Sequence, residues 1–163
     1  MKVGPVLQDW RANSGRPHIQ VVLALLRISQ RLRHSGGLLA RMLGVPFSAV
    51  YRIAALFCCG IDIPVSTQIG SGLAIHHGVG LVVHNKTLIG SNVTLRQSTT
   101  LGSKDGSQPP TIGDNVSIGP NSCVIGPVRI GSGAIIGAGS VVVKDVEDAS
   151  VVAGNPARLL KKN

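Results

Sequence analysis

Aliphatic residues recur at every sixth position through the last hundred residues, and no other feature of the chain restricts its fold as tightly. Stepping by six gives Ile63, Ile69, Ile75 and Leu81; after a shift of two it gives Val83, Ile89, Leu95 and Leu101; after a ten-residue excursion it gives Ile112, Ile118, Val124, Ile130, Ile136 and Val142. All fourteen positions hold Ile, Leu or Val, types that fill only 32 of the 103 residues from 61 to 163. A period of six fits neither the 3.6-residue helix nor the two-residue strand, and short strands joined by turns at this spacing predict a β-solenoid. Three hexads close one triangular coil of about eighteen residues, each aliphatic stacking on its counterpart one coil away. Gly follows the aliphatic at seven of the fourteen positions, where a sharply turning chain benefits from a residue without Cβ.

The same prism explains a gap in the composition. The only aromatics are Trp10, Phe47, Tyr51 and Phe57, so residues 58 to 163 contain none. A narrow aliphatic prism has little room for a ring, whereas an ordinary core leans on rings for buried area. With 44% apolar and 14% charged residues the chain lies far from the disordered class. The expected organisation is a helical region over 1–60 and a β-helix domain over 61–163, with the polar excursion at 102–111 projecting as a binding loop.

Ahead of the repeat the pattern is helical. Residues 19 to 33 form an amphipathic segment in which Val22, Leu25, Leu26 and Ile28 alternate with Arg27, Arg31 and Arg33, closed by Gly36-Gly37. A second helix is expected from about 38 to 58, bent or broken near Gly44 and Pro46. Residues 1 to 60 carry eight bases against Asp9, a net of +7, whereas 61 to 163 carry eight against six, a net of +2. Such a basic face suits nucleic acid, an anionic membrane surface or a phosphorylated ligand. The expectation carried forward is peripheral membrane association through the basic helices, without nucleic acid; Gly44, Pro46 and Arg52 argue against 42–61 spanning a bilayer. Cys58, Cys59 and Cys123 form no disulfide framework and read as buried small hydrophobes in a reducing compartment; with no signal-peptide pattern, the expected location is the cytoplasm or the inner face of its membrane.

Three of the five histidines, His76, His77 and His84, fall within nine residues of the solenoid, and the first two follow the inward Ile75 at a coil corner. An imidazole there suits proton transfer near neutral pH. Asp62 precedes His77 by fifteen residues, close to one coil, so a folded prism can bring its carboxylate behind that ring, to fix the tautomer and stabilise the imidazolium. A turn-capping role for Asp62 is the competing reading. No histidine follows position 84, which leaves no third well-spread ligand, so no metal is expected.

The segments DIPVSTQIGSGLAIHHGVGLVVHNKTLIGSNVTLRQSTTLG, TIGDNVSIGPNSCVIGPVRIGSGAIIGAGSVVVKDV and AGNPAR resemble the left-handed β-helix acetyltransferases of the serine acetyltransferase type. The N-terminal DWRANSG and the short helical region most resemble their exopolysaccharide (colanic-acid type) O-acetyltransferase branch. The resemblance implies acetyl-CoA as donor, a homotrimer with grooves between neighbouring prisms, His77 as general base and Asp62 as its orienting carboxylate. It implies a cofactor groove around Gly102, Ser103, Gly119 and Ala138, with Arg158 near the nucleotide end. His76, His84, Asn85 and Arg96 are acceptor-side candidates. Where serine acetyltransferases carry an Asp before the base, this chain has His76; where their loop carries Arg-His, it has Gln108-Pro109; and their Asp-Pro becomes Arg16-Pro17. These are groups that bind the amino acid's charged ends in the family, so the expectation is transfer to a sugar hydroxyl in exopolysaccharide synthesis, with L-serine as the alternative acceptor. A non-enzymatic β-helix scaffold is the third reading, and it predicts no thioester cleavage.

Overall fold

The computed structural model describes residues 5–35 and 37–162. A 3₁₀ turn, Arg11–Asn13, precedes helices α1 (Pro17–His34) and α2 (Leu38–Ile53), and a π-helical turn over Ala54–Cys58 leads into the repeat. Thirteen short parallel strands follow, from β1 (Ile61–Asp62) to β13 (Val141–Val142), and a closing antiparallel hairpin pairs β14 (Ser150–Gly154) with β15 (Ala157–Lys162). The chain winds about five turns through three sheets: A holds β1, β4 (Leu81–Val83), β7 (Thr100–Gly102), β10 (Cys123–Ile125) and β13; B holds β2 (Gln68–Ile69), β5 (Leu88–Ile89), β8 (Thr111–Ile112) and β11 (Arg129–Ile130); C holds β3 (Ala74–His76), β6 (Thr94–Arg96), β9 (Ser117–Ile118), β12 (Ile135–Ile136), β14 and β15. All fourteen hexad aliphatics are buried, and they belong to one apolar core that continues into α1 and Tyr51. The period of six therefore reports the three-sided coil directly.

The register shows where the repeat is irregular. In sheet A, Ile61 pairs with Leu81, twenty residues on; Val83 pairs with Leu101 after eighteen, Leu101 with Val124 after twenty-three, and Val124 with Val142 after eighteen. Two extra residues thus enter between Ile75 and Val83, and five between Leu101 and Ile112. The first insertion widens the corner between β3 (Ala74–His76) and β4 (Leu81–Val83); the second is the loop after β7 (Thr100–Gly102).

The N-terminal region covers the open end of the prism, where β1, β2 (Gln68–Ile69) and β3 present backbone groups with no preceding coil to bond. Asn13 takes the place of a neighbouring strand: its Nδ2 donates to the Leu73 carbonyl at 2.7 Å and its Oδ1 accepts from Ile75 N–H at 2.9 Å. Arg27 donates to the Ile69 and Gly70 carbonyls at 2.9 and 2.6 Å, and Gln30 donates to Thr67 O at 2.9 Å. Tyr51 Oη donates to Ile63 O at 2.6 Å, and burial raises its phenol far above the ordinary range. The Arg27 charge is matched by Asp9 at 2.8 Å, the two side chains being 1% and 3% exposed, and Asp9 Oδ1 also accepts from Leu73 N–H. These groups are the physical reason that the helices sit where they do.

Several expectations change here. Arg27 does not belong to a solvated basic face: it occupies the core side of α1 with Ile19, Val22, Leu23 and Leu26, while Leu25 and Ile28 are only partly buried. α2 runs through Pro46 without a break; the Ser48 hydroxyl donates to Gly44 O at 2.6 Å, and Gly44 lies so close to α1 that a Cβ there would meet Leu32 Cβ at 3.2 Å. The cysteines are not buried hydrophobes. Cys58 is exposed and Cys59 and Cys123 are half-buried, all free, because the π turn and the alternation about inward Val124 direct them outward. Burial beside Cys58 pushes the Cys59 thiol upward.

Candidate active site

His77 is built by the two-residue insertion. Regular corners between sheets C and A place one left-handed residue three positions before the inward aliphatic, as at Ser98, Asn121 and Gly139; in the wide corner Gly80 takes that place and His77 adds a second, with φ +52°. A non-glycine in this region carries backbone strain, and here it turns the imidazole outward into solvent. The insertion folds down over the first strand: Gly80 N–H donates to Gly60 O at 2.9 Å, and a Cβ on Gly78 would stand 2.5 Å from Ile61 Cδ1. The wide turn therefore lies against the residue next to Asp62.

Asp62 itself is held by α2. Its Oδ1 accepts from Arg52 Nη1 at 2.7 Å, with the two side chains 37% and 45% exposed, and no hydrogen bond joins Asp62 to His77 among the described residues. The structure thus seats the wide turn on Gly60 and Ile61, next to Asp62, and leaves the Asp62 carboxylate on a solvent-exposed cation.

His76 and Arg96 are register partners on β3 and β6 (Thr94–Arg96), both outward beside the inward pair Ile75 and Leu95. Arg96 Nη1 donates to Ser117 Oγ at 3.1 Å and Ile118 O at 3.2 Å. Burial, Arg16, Arg96 and His77, in that order, hold the His76 imidazole below its ordinary value. The resemblance named Arg16 and His76 together as departures on the acceptor side; the contact that carries Arg16 toward β3 is Asn13, which clips the N-terminal turn onto Leu73 and Ile75.

The remaining candidates divide between two corners of the prism. His77, Gly119 and Ala138 lie along the corner between sheets C and A on the first, third and fourth coils, with Gln97 and Ser98 on the second; Ser98 N–H donates to Val79 O at 2.9 Å, Asn121 N–H to Gln97 O at 3.0 Å and Gly139 N–H to Pro120 O at 2.9 Å. Gly119 is required there, since a Cβ would stand 2.6 Å from Ala138 N. Gly102 and Ser103 lie at the next corner, between sheets A and B, where Gly102 O accepts from Gly126 N–H. Arg158 is exposed on β15 and lines a groove with Val143, Lys144 and Pro156. Within one chain, then, the base and the Gly102 turn flank sheet A rather than meet. His84 Nδ1 accepts from Lys86 N–H at 3.2 Å, a local turn contact, and Asn85 is exposed beside it. No group of three metal-ligating side chains exists among the described residues.

The left-to-right march of outward glycines and inward aliphatics has known counterparts. Residues 109–144 match the family model described as bacterial transferase hexapeptide (six repeats). Serine acetyltransferase 4 of Arabidopsis thaliana is 36% identical over 148 residues, covering 88% of this chain and 40% of that protein. The soybean serine acetyltransferase apoenzyme superposes with a TM-score of 0.79 at 31% identity, over 95% of this chain and 67% of that one. This chain belongs to the serine acetyltransferase family. A serine acetyltransferase solved in complex with CoA superposes with a TM-score of 0.76 at 26% identity, over 95% of this chain and 68% of that chain. The chain spans about half or less of the length of the curated serine acetyltransferases it matches, 40% in Arabidopsis and 51% in Bacillus pumilus. As a member of the family it carries the β-helix and a helical cap.

Proposed function

We propose that the chain transfers an acetyl group from acetyl-CoA to a hydroxyl of a small acceptor. The observation that carries this reading is the outward imidazole of His77 in the wide corner, at the head of the prism corner that also holds Gly119 and Ala138. His77 removes the acceptor's hydroxyl proton while the oxygen attacks the thioester carbonyl. The C–S bond then breaks, the imidazolium returns its proton to the thiolate, and an O-acetyl ester and free CoA leave. A positioned base is worth about 10²- to 10⁴-fold and an oxyanion donor about 10²- to 10³-fold. Asp62 orients His77 once its carboxylate exchanges Arg52 for the ring. Residues 1–60 serve as the cap of the 61–163 catalytic domain.

His77 and the Gly102-Ser103 turn flank sheet A at different corners, and in a homotrimer the oxyanion donor is supplied to His77 across the interface by the turn of an adjacent prism. Exposed Val79, Val82 and Leu88 supply apolar surface for that contact. The exposed apolar side of α2, with Leu39, Val45, Val50 and Ile53, packs in the same assembly. Peripheral membrane contact is its rival use, and no helix among the described residues is long and apolar enough to cross a membrane. Arg158 and Lys144 suit the nucleotide end of CoA.

For the acceptor, the relatives' names favour L-serine. A sugar hydroxyl of exopolysaccharide synthesis is the second reading, favoured by His76 and Arg16 standing where the resemblance places acidic groups that bind the amino acid's charged ends. Acetyl-CoA incubated with L-serine or with hexoses, read by thiol release and product mass, separates them: O-acetylserine supports the first, an acetylated sugar the second, and no thiol release with any acceptor overturns the enzymatic reading.

A further inference from the structure

The ground around His77 is more cationic than a general base needs. Asn13 fixes the N-terminal turn on Leu73 and Ile75, which brings Arg16 beside the outward His76, and the β3–β6 register puts Arg96 on its other side. Neither guanidinium has a carboxylate partner among the described residues. Arg16 Nη2 donates to Ala12 O at 2.6 Å and its Nε is buried with no partner, while Arg96 uses only Nη1, on Ser117 and Ile118. The two acids of this end of the molecule are spent elsewhere, Asp9 on Arg27 and Asp62 on Arg52. Two guanidinium groups flanking an imidazole repel one another in a partly desolvated corner, and a planar, multi-donor arginine pair matches a carboxylate or phosphate. Burial first, and then Arg16 and Arg96, hold the His76 imidazole below its ordinary value.

We propose that the acceptor carries an anionic group, a carboxylate or a phosphate, seated on Arg16, Arg96 and His76 beside the hydroxyl that His77 deprotonates. This rests on the acetyltransferase reading above and narrows it. L-serine satisfies it through its carboxylate and a sugar phosphate through its phosphate, whereas an acceptor whose only charge is an ammonium is repelled. In the reading above the cofactor's phosphates are assigned to Arg158 and Lys144 at the other end of the prism, which leaves the cluster for the acceptor.

The test compares kcat/KM for L-serine, D-glycerate, glucose 1-phosphate, glucose and serinol, in the full chain and in Arg96→Gln, Arg96→Lys and Arg16→Gln, with melting temperature and the KM for acetyl-CoA followed in parallel. The expected result is a preference of at least tenfold for an anionic acceptor over its neutral or cationic analogue, which collapses in both Gln variants and is largely kept in Arg96→Lys, with the acetyl-CoA KM unchanged. Glycerate and serine against glucose 1-phosphate then tell a carboxylate from a phosphate. Equal use of glucose and glucose 1-phosphate, a preference for serinol, or an effect confined to the KM for acetyl-CoA overturns the proposal while leaving acetyl transfer intact. If no acceptor releases thiol, the transferase reading fails, and the anion site is read alone from the His76 ring resonance titrated with D-glycerate and inorganic phosphate: a saturable shift lost in Arg96→Gln supports it, and no shift overturns it.

Discussion

The prism and the cap are stabilised in opposite ways. From Ile61 onward each coil repeats the same contacts, with an inward aliphatic stacked on its neighbours and a backbone ladder to the coils above and below. Stability in such an array is spread over near-equivalent neighbour contacts, so no single rung dominates. In residues 5–60 one side chain of each kind, Asp9, Asn13, Arg27, Gln30 and Tyr51, satisfies a particular strand edge, and no second copy stands behind it. A repeat tolerates loss of detail, and a unique polar joint does not. The active-site candidates gather where the two meet, because the cap's Arg16 and Arg52 reach into a corner that the first coils leave wide.

This contrast can be broken most directly at Arg27. Arg27→Met leaves Asp9 buried without its partner and the Ile69 and Gly70 carbonyl contacts unmade, and removing one side of such a pair costs about 3–5 kcal/mol. Urea unfolding monitored by circular dichroism reads it; a loss below about 1 kcal/mol would show that the cap does not depend on the pair. Within the prism the largest single effect is expected where backbone, not side chain, is displaced. Gly119→Val drives a Cβ against Ala138 N, and overpacking of this kind costs about 1–3 kcal/mol. By contrast Ile118→Val removes one methyl group from a stack with neighbours on both sides, for about 0.5–1.5 kcal/mol. If Ile118→Val rivals Arg27→Met in the same assay, the distinction between repeat and joint fails.

The smallest effect is a pH dependence. His76 titrates lower in the folded protein than in the unfolded chain, so the unfolded state binds more protons below about pH 6.5. Its contribution is fully present above that pH and is lost as pH falls toward the folded-state value. His76→Asn should flatten the acid side of the melting curve, and an unchanged slope would show that Arg16 and Arg96 do not crowd the ring.

Much of this was legible in the sequence. The fourteen aliphatics are the inward residues of the coils, and the pair His76-His77 falls at a corner because the solenoid period fixes corners. The phase shift between Leu81 and Val83 also carried a signal, since two extra residues must widen a corner, and that corner holds His77. The cap was not legible. Arg27 reads as one more base in a basic helix, and only the tertiary position of β2's free carbonyls makes it a buried ligand. Arg16 was paired with His76 only through the resemblance, and the Asn13 clip that carries it toward β3 is not written in any local pattern. The place of the Asp62 carboxylate, fifteen residues before His77 and yet bonded to Arg52, depends on how α2 descends, which no local spacing encodes.

The central claim is that His77 is the base, and a single substitution tests it. In His77→Ala, acetyl-CoA binding measured by calorimetry should match the parent, while thiol release with the best acceptor should fall by at least about 10²-fold in kcat. Retention of more than about a tenth of the parent rate, with binding intact, would contradict it.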